Sequence, residues 1–205
     1  YAAPLWANTQ VLWYRRSLAQ EAGLDMSGPV TWQQVIDAAA SVDGATVGVQ
    51  ANKYEAYVVW INALILGAGG QVLENPQDGR DAEVTLDSEA ATEAARVIES
   101  LAGSDAAQGD LSVSNEGTAL AYMFGSDSPG EFMTNWTFVY KNYEPSDSND
   151  YTREQFEDLA WARYPRTVPD RPSAPPVGGI DVGVGAFTAY PDYAREAVAC
   201  ITSVE

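Results

Sequence analysis

The sequence reads as an α/β chain with a largely parallel sheet. Short β-prone runs alternate with helical patterns along the whole of it. The helical patterns carry recognisable start and stop residues, and no internal repeat or low-complexity stretch breaks the alternation.

The elements follow in order. Val11–Tyr14 is a short apolar strand, and the helical pattern Ser17–Ala22 after it closes on Gly23. Thr31 fits a helix N-cap, with Gln34 completing a capping box and Val35, Ile36 and Ala39 at helical spacing. Gly44 stops that helix, and Thr46–Gln50 reads as a buried strand. A helix runs from about Tyr57 to Leu66 and ends on Gly67, Gly69 and Gly70. Val72-Leu73 and Glu83–Leu86 are short strands around an Asn-Pro and Asp-Gly turn region. Ser88 caps a helix over Glu89–Leu101, and Asn115 caps another over Gly117–Phe124. Phe132–Trp136 is a strand, Thr137–Tyr143 a short helical piece, and Leu159–Tyr164 a further strand. Four prolines make Thr167–Val177 irregular; Ile180–Phe187 reads as a glycine-spaced strand and Asp192–Val204 as the last helix.

Composition removes several functional classes. The 205 residues include 29 acidic and 11 basic side chains, a net charge of -18, which argues against nucleic acid and anionic membrane surfaces as partners. Histidine is absent, so His-based triads and His-ligated metals are excluded, and no cofactor is expected. Cys200 is the only cysteine; within AVACIT it reads as a small buried hydrophobe. No stretch resembles a signal peptide or a membrane span.

The strongest site signal lies in Ala51–Gly70, ANKYEAYVVWINALILGAGG, where a polar loop carrying Glu55 between Tyr54 and Tyr57 runs into an apolar helix. A pyranose offers an apolar C–H face to aromatic rings and a rim of hydroxyls to charged or amide groups, so this pairing suits a sugar. Trp136, at a strand end beside Asn135, reads either as core or as a stacking ring; Asn8 and Gln10 read as loop caps or ligand donors. Trp32, Trp60 and Trp161 read as core. Gly178-Gly179 exposes backbone that a ligand could approach. Gly67–Gly70 follows a helix and lacks a Walker lysine, and Asp147–Thr152 fails the calcium-loop pattern at its turn position. A glycosidase would pair Glu55 with Asp181 or Glu131 about 5–10 Å apart.

Five blocks, PLWANTQVLWYRRSLAQEAGLD, PVTWQQVIDAA, YEAYVVWINALILGAGG, EFMTNWTF and GGIDVGVGAF, stand in the order found in family-1 sugar-binding proteins of bacterial ATP-binding-cassette (ABC) importers. The chain resembles that family over nearly its whole length, and its wording is similar to the trehalose-binding lipoproteins within it. The resemblance implies a periplasmic-binding-protein-like fold of type II. Residues 1–10 then form an inter-lobe crossing, 11–145 the second α/β lobe, and 146–205 the return into a partial first lobe. It also implies that Glu55 and Tyr57 are the acidic and aromatic sugar contacts and Trp136 the stacking ring. Gly178 and Gly179 become a glycine turn whose backbone faces the cleft, and Asn8 lies near the cleft floor. One departure is Asn135-Trp136, where maltose-binding relatives carry Gly-Pro before the Trp.

The resulting expectation is a binding module that captures a disaccharide such as trehalose and delivers it to permease subunits. The full-length protein would be lipid-anchored on the extracellular face, with the anchor outside this chain. The alternative is a glycoside hydrolase using Glu55. The chain reads as a piece of a longer protein, whose strands at Leu159–Tyr164 and Ile180–Phe187 present open edges.

Overall fold

The computed structural model describes residues 2–125 and 128–203. The backbone divides into two compact units, Tyr1–Thr9 with Val177–Glu205 and, separately, Gln10–Pro176.

The larger unit is built on a sheet of order β2-β5-β1-β6. Strand β1 (Ala2–Arg15) contributes its Gln10–Arg15 half, flanked by β5 (Glu131–Trp136) and β6 (Leu159–Ala162). Both pairings are antiparallel, with Leu12 opposite Thr134 on one side and Ala162 on the other. Strand β2 (Thr46–Gly48) runs parallel to β5, with Val47 beside Phe132. The expectation of a largely parallel sheet is therefore corrected: one pair is parallel, because β1 runs opposite to β2, β5 and β6 and is inserted between β5 and β6. The expected strand at Val11–Tyr14 is also the end of a much longer one. Ala2–Gln10 is mixed polar and apolar, with no period to announce it.

Helices cover this sheet. Helix α1 (Arg16–Glu21) is a short continuation of β1. Helix α2 (Trp32–Ala40) begins with the capping box foreseen at Thr31 and Gln34, both halves of which form. Helix α3 (Glu55–Gly67) starts two residues earlier than expected and puts Glu55 in its first turn, where a carboxylate offsets the positive end of the helix dipole. Strands β3 (Leu73–Glu74) and β4 (Glu83–Val84) form a small separate ribbon, and α4 (Glu89–Ala102) is capped by Ser88. Helix α5 (Phe138–Tyr143) follows β5. Helix α6 (Arg153–Asp158) is new: its capping box, Thr152 with Gln155, was legible but too short a helix followed to stand out. Asn115 caps a 3-10 turn, Thr118–Tyr122, in place of the α-helix expected there.

The main core gathers Leu12, Trp32, Val35, Leu64, Leu101 and Phe132, its strand residues drawn from one face of the sheet. Trp32 is fully buried, its ring 5.6 Å from Trp60 and 5.7 Å from Tyr164. A second cluster joins Trp13, Met123, Met133 and Tyr143. Trp161 departs from its expected core role and is 55% exposed, because β6 is an edge strand whose Leu159 and Ala160 take the buried positions. The edge is tied at its start. Arg15 pairs with Asp158 at 2.8 Å, and Ser17 donates to the same carboxylate from both its backbone N–H and its hydroxyl. Burial works to raise the Asp158 pKa, but the Ser17 and Arg15 bonds outweigh it and hold the carboxyl below its usual range.

In the smaller unit the Ala2–Thr9 half of β1 pairs antiparallel with β7 (Val177–Gly183), and α7 (Pro191–Ile201) follows. The strand lies earlier than the expected Ile180–Phe187, and Phe187 is fully exposed. Cys200 is exposed on α7, against the buried reading, because no residue of that helix is buried. Val204, the last residue of the expected helix, lies outside the described residues.

Phe132 of β5 has no exposure, and its ring stacks on that of Tyr14 on the neighbouring strand at 6.2 Å. Phe132→Ala is predicted to destabilise the chain by about 3–5 kcal/mol, through lost burial and the cavity it leaves. Urea unfolding followed by tryptophan fluorescence measures this; a loss below about 1 kcal/mol would place Phe132 outside the core.

Candidate functional site

The parallel pair β2 and β5 sets where a site can form. In such pairs ligands gather beyond the carboxyl ends of the strands, where the chain turns outward into loops and helix N-termini. Strand β2 leads through Val49 and Gln50 into the loop 51–54 and the start of α3. Strand β5 ends on Asn135 and Trp136. The Glu55-bearing loop and Trp136 thus leave the same edge of the sheet.

A polar network fixes that edge. Gln50 is buried and donates from Nε2 to the Thr134 carbonyl at 2.9 Å, while Gln10 Nε2 donates to Gln50 Oε1 at 3.4 Å. Gln10 stands opposite Trp136 in the β1–β5 register. Asn135 is fully buried; its Nδ2 donates to the Glu116 carbonyl at 3.0 Å, and its Oδ1 accepts the Trp136 N–H at 2.9 Å. The Glu116 carboxylate accepts a short hydrogen bond from the Tyr54 hydroxyl. Burial raises the Tyr54 pKa, and the Glu116 carboxylate raises it further, so the phenol stays protonated and remains a donor. The Asn52 N–H donates to the Ser114 carbonyl at 3.1 Å, tying the loop before α3 to the 114–116 segment.

The sequence-derived residues of this unit take three environments. Glu55 is exposed and lies at the end of a shallow depression shared with Val58, Asn62 and Leu66 on the outer face of α3. Tyr57 is half-buried and lines a different depression of about 500 Å³ with Trp60, Ile98, Leu111 and Gln108. Its ring lies 6.1 Å from that of Trp60. Two helix positions apart, Glu55 and Tyr57 point to different sides, so a carboxylate and a ring acting together are not given by this pair. The loop instead offers Tyr54 and Glu116 as its coupled ring and carboxylate. Trp136 is half-buried at the strand end, consistent with neither a fully buried core residue nor a free ring. Sequence reasoning placed Tyr54 in the site loop but missed Glu116, Asn135 and Gln50. Asn135 beside Trp136 was the available signal; Glu116 lies 62 residues from its Tyr54 partner and had none.

In the smaller unit Asn8 stands opposite Gly178 and Ala7 opposite Gly179. The two glycines sit inside β7, which corrects their reading as a turn. Gly179 has φ 150°, and a Cβ there would lie 2.3 Å from the Trp6 carbonyl oxygen, so only glycine permits this close approach of the two strands. The Asn8 Oδ1 is buried with no hydrogen-bond partner. Asp181, one suggested hydrolase partner, lies on β7 opposite Pro4. Glu131, the other, has no exposure at all and is ruled out as a group that touches a substrate. No trio of His, Cys, Asp or Glu is arranged to hold a metal among the described residues.

Residues 1–205 match the family described as bacterial extracellular solute-binding protein. The chain belongs to that family. Among solved structures it is similar to MalE3 of T. maritima with maltose bound, at 21% identity and TM-score 0.76, covering 98% of this chain and 49% of that one. It is also similar to the GacH receptor of Streptomyces glaucescens, solved unliganded and with acarbose, at 24% identity and TM-score 0.71, covering 99% and 48%. A third is an ABC transporter solute-binding protein from Thermotoga lettingae bound with alpha-D-tagatose, at 18% identity and TM-score 0.77, covering 99% and 50%. These likenesses establish the α/β periplasmic-binding fold. The chain spans about half the length of each of the three. Among the described residues no helix is long and apolar enough to cross a membrane.

Asn135→Ala removes the donor to the Glu116 carbonyl and unties the 114–116 segment from β5. It is predicted to cost about 1–3 kcal/mol, the range for leaving a buried polar partner unsatisfied. Urea unfolding gives the loss; a variant as stable as the parent would show the Asn135–Glu116 bond to be dispensable.

Proposed function

We propose that the chain forms part of the sugar-binding component of an ABC importer. It would act by capture and release, without chemistry on the ligand. The observation that carries this reading is the hydrogen-bonded edge at the carboxyl ends of β2 and β5, where Trp136, Tyr54 and Glu116 stand with the Glu55 loop. Rings there can cover the apolar face of a pyranose, and carboxylates can accept its hydroxyls. The family supports a solute-binding role, and maltose, acarbose and tagatose in the similar structures support a carbohydrate ligand.

Within that role the ligand is a disaccharide such as trehalose, and the partners are the permease subunits of the importer. The full-length protein works at the extracellular face of the membrane, held by a lipid anchor. Glu55, Tyr57, Trp136, Asn8, Gly178 and Gly179 are the proposed ligand-contacting positions, Glu55 and Tyr57 from separate sides of the same helix start. The hydrolase alternative loses one of its two candidate partners with the burial of Glu131.

Calorimetric titration of the full-length protein with trehalose and maltose tests the reading, alongside an assay for released glucose. Binding with the disaccharide recovered intact supports capture; turnover abolished by Glu55→Gln would contradict it. Trp136→Ala is predicted to weaken binding, with about 0.5–1.5 kcal/mol beyond the lost contact area, while the melting temperature holds. Normal binding with early melting would make Trp136 a packing residue. Glu55→Gln is predicted to cost about 1.5–3 kcal/mol for each hydrogen bond the charged group makes to a hydroxyl, read from the same titration.

A further inference from the structure

Glu131 begins β5 with no exposure, and both its carboxyl oxygens lack a hydrogen-bond partner. Beside the same glycine of β2, Gly48, lies the side chain of Gln108, itself 2% exposed. Its Nε2 donates to Asp110 Oδ1 and, at 3.1 Å, to Ser114 Oγ, which spends both amide hydrogens. Its Oε1 is buried and unpartnered. The two carbonyl-type oxygens converge on the space left by Gly48 of β2. A Cβ there would lie 2.1 Å from Glu131 Oε1 and 2.9 Å from Gln108 Oε1.

Two acceptors therefore face each other in a dry interior. Turning the amide over does not help, because its oxygen would then face the Asp110 carboxylate. One amide between two carboxylates satisfies both only if one of them carries a proton. Asp110 is part-exposed and already receives Gln108 Nε2, whereas Glu131 is sealed from water.

We propose that Glu131 is a neutral acid that donates its carboxyl proton to the Gln108 carbonyl, and that this bond holds residues 108–116 against the sheet. Glu131 is then a positioning residue. The segment it fastens is the one whose far end gives Ser114 to Asn52 and Glu116 to Tyr54 and Asn135. The inference concerns the state of Glu131 and stands whether or not a sugar binds.

The surroundings agree. Burial, and then the Asp110 carboxylate, push the Glu131 pKa well above its ordinary value. The Thr46 hydroxyl of β2 lies close enough to favour the charged form slightly but makes no well-formed hydrogen bond. Tyr122 faces Asp110, and Tyr143 of α5 senses Glu131; both phenols are raised and neutral. Arg15, whose side chain reaches the neighbouring Gly130, is engaged by Asp158. No basic group acts on Glu131 among the described residues.

An acid whose pKa is raised by folding binds its proton more tightly in the folded chain than in the unfolded one. Stability is then greatest below the unfolded carboxylate pKa and falls as pH rises through the window up to the folded pKa. The unfolding constant rises by up to about tenfold for each pH unit in that window. Glu131→Gln keeps the shape and supplies an N–H to Gln108 Oε1 without a titrating proton.

The test is urea unfolding of this chain and its Glu131→Gln variant from about pH 5 to about pH 8, each with and without added calcium chloride. The expected result is a variant as stable as the parent at the acid end and progressively more stable than it as pH rises. Equal pH slopes in the two proteins would overturn the proposal. So would a parent that calcium stabilises while the variant ignores it, since a cation would then stand where the proton is assigned. Should the variant fail to fold, the infrared spectrum of the parent decides. A protonated-carboxyl band persisting at neutral pH supports a neutral Glu131, and its disappearance in the ordinary carboxylate range refutes it.

Discussion

The larger unit depends on the complete burial of β5. Five consecutive residues, Glu131 to Asn135, are shut from water between β2 and β1, and three of them are polar. Water cannot satisfy those groups, so the fold must bring partners to them. It does so with groups far away in sequence. Gln50 reaches the Thr134 carbonyl, the Trp13 indole N–H donates to the Asn135 carbonyl at 3.1 Å, and the Asn135 amide captures the Glu116 carbonyl. The loops around the carboxyl edge of the sheet owe their positions to this requirement.

The same requirement gives the candidate site its character. A rigid polar frame stands behind a surface of partly exposed rings and carboxylates, which is the arrangement a weakly hydrophobic, hydroxyl-rich ligand needs. The frame is asymmetric in charge. Glu55 and Glu116 place carboxylates at this edge, and Arg15, at the other end of its strand, is engaged by Asp158. A neutral ligand recognised by acceptors suits such a surface better than an anionic one. The smaller unit follows a different rule: its strands approach so closely at Gly179 that backbone, not side chain, decides what sits there.

Much of this was legible. The capping box at Thr31 and Gln34, the Ser88 cap and the period of α2 and α4 identify their helices, because each of those signals is local. The direction of β1 was not, since strand polarity depends on where the chain returns after more than a hundred residues. Trp161 and Cys200 read as core from their types, yet sit on an edge strand and on a helix with no buried face. At the site, Trp136 and the Glu55 loop stood out because aromatic and acidic residues adjoin there. The separation of Glu55 and Tyr57 onto different sides of α3 was hidden because the helix begins two residues before the expected start, and two residues turn a side chain by more than half a circle. Tyr54–Glu116 and Glu131–Gln108 are pairings of distant loops, for which a single sequence carries no signal.

Hydrogen exchange of the backbone amides in the full-length protein, with and without trehalose, shows whether the buried polar frame and the loops it holds respond to ligand as one unit. Added protection is expected in three places together: the loop 51–55, the 114–116 segment and Asn135-Trp136, which the buried polar frame joins into one surface. Protection confined to the Tyr57–Trp60 depression, or absent from all three segments while the sugar is demonstrably bound, would contradict it.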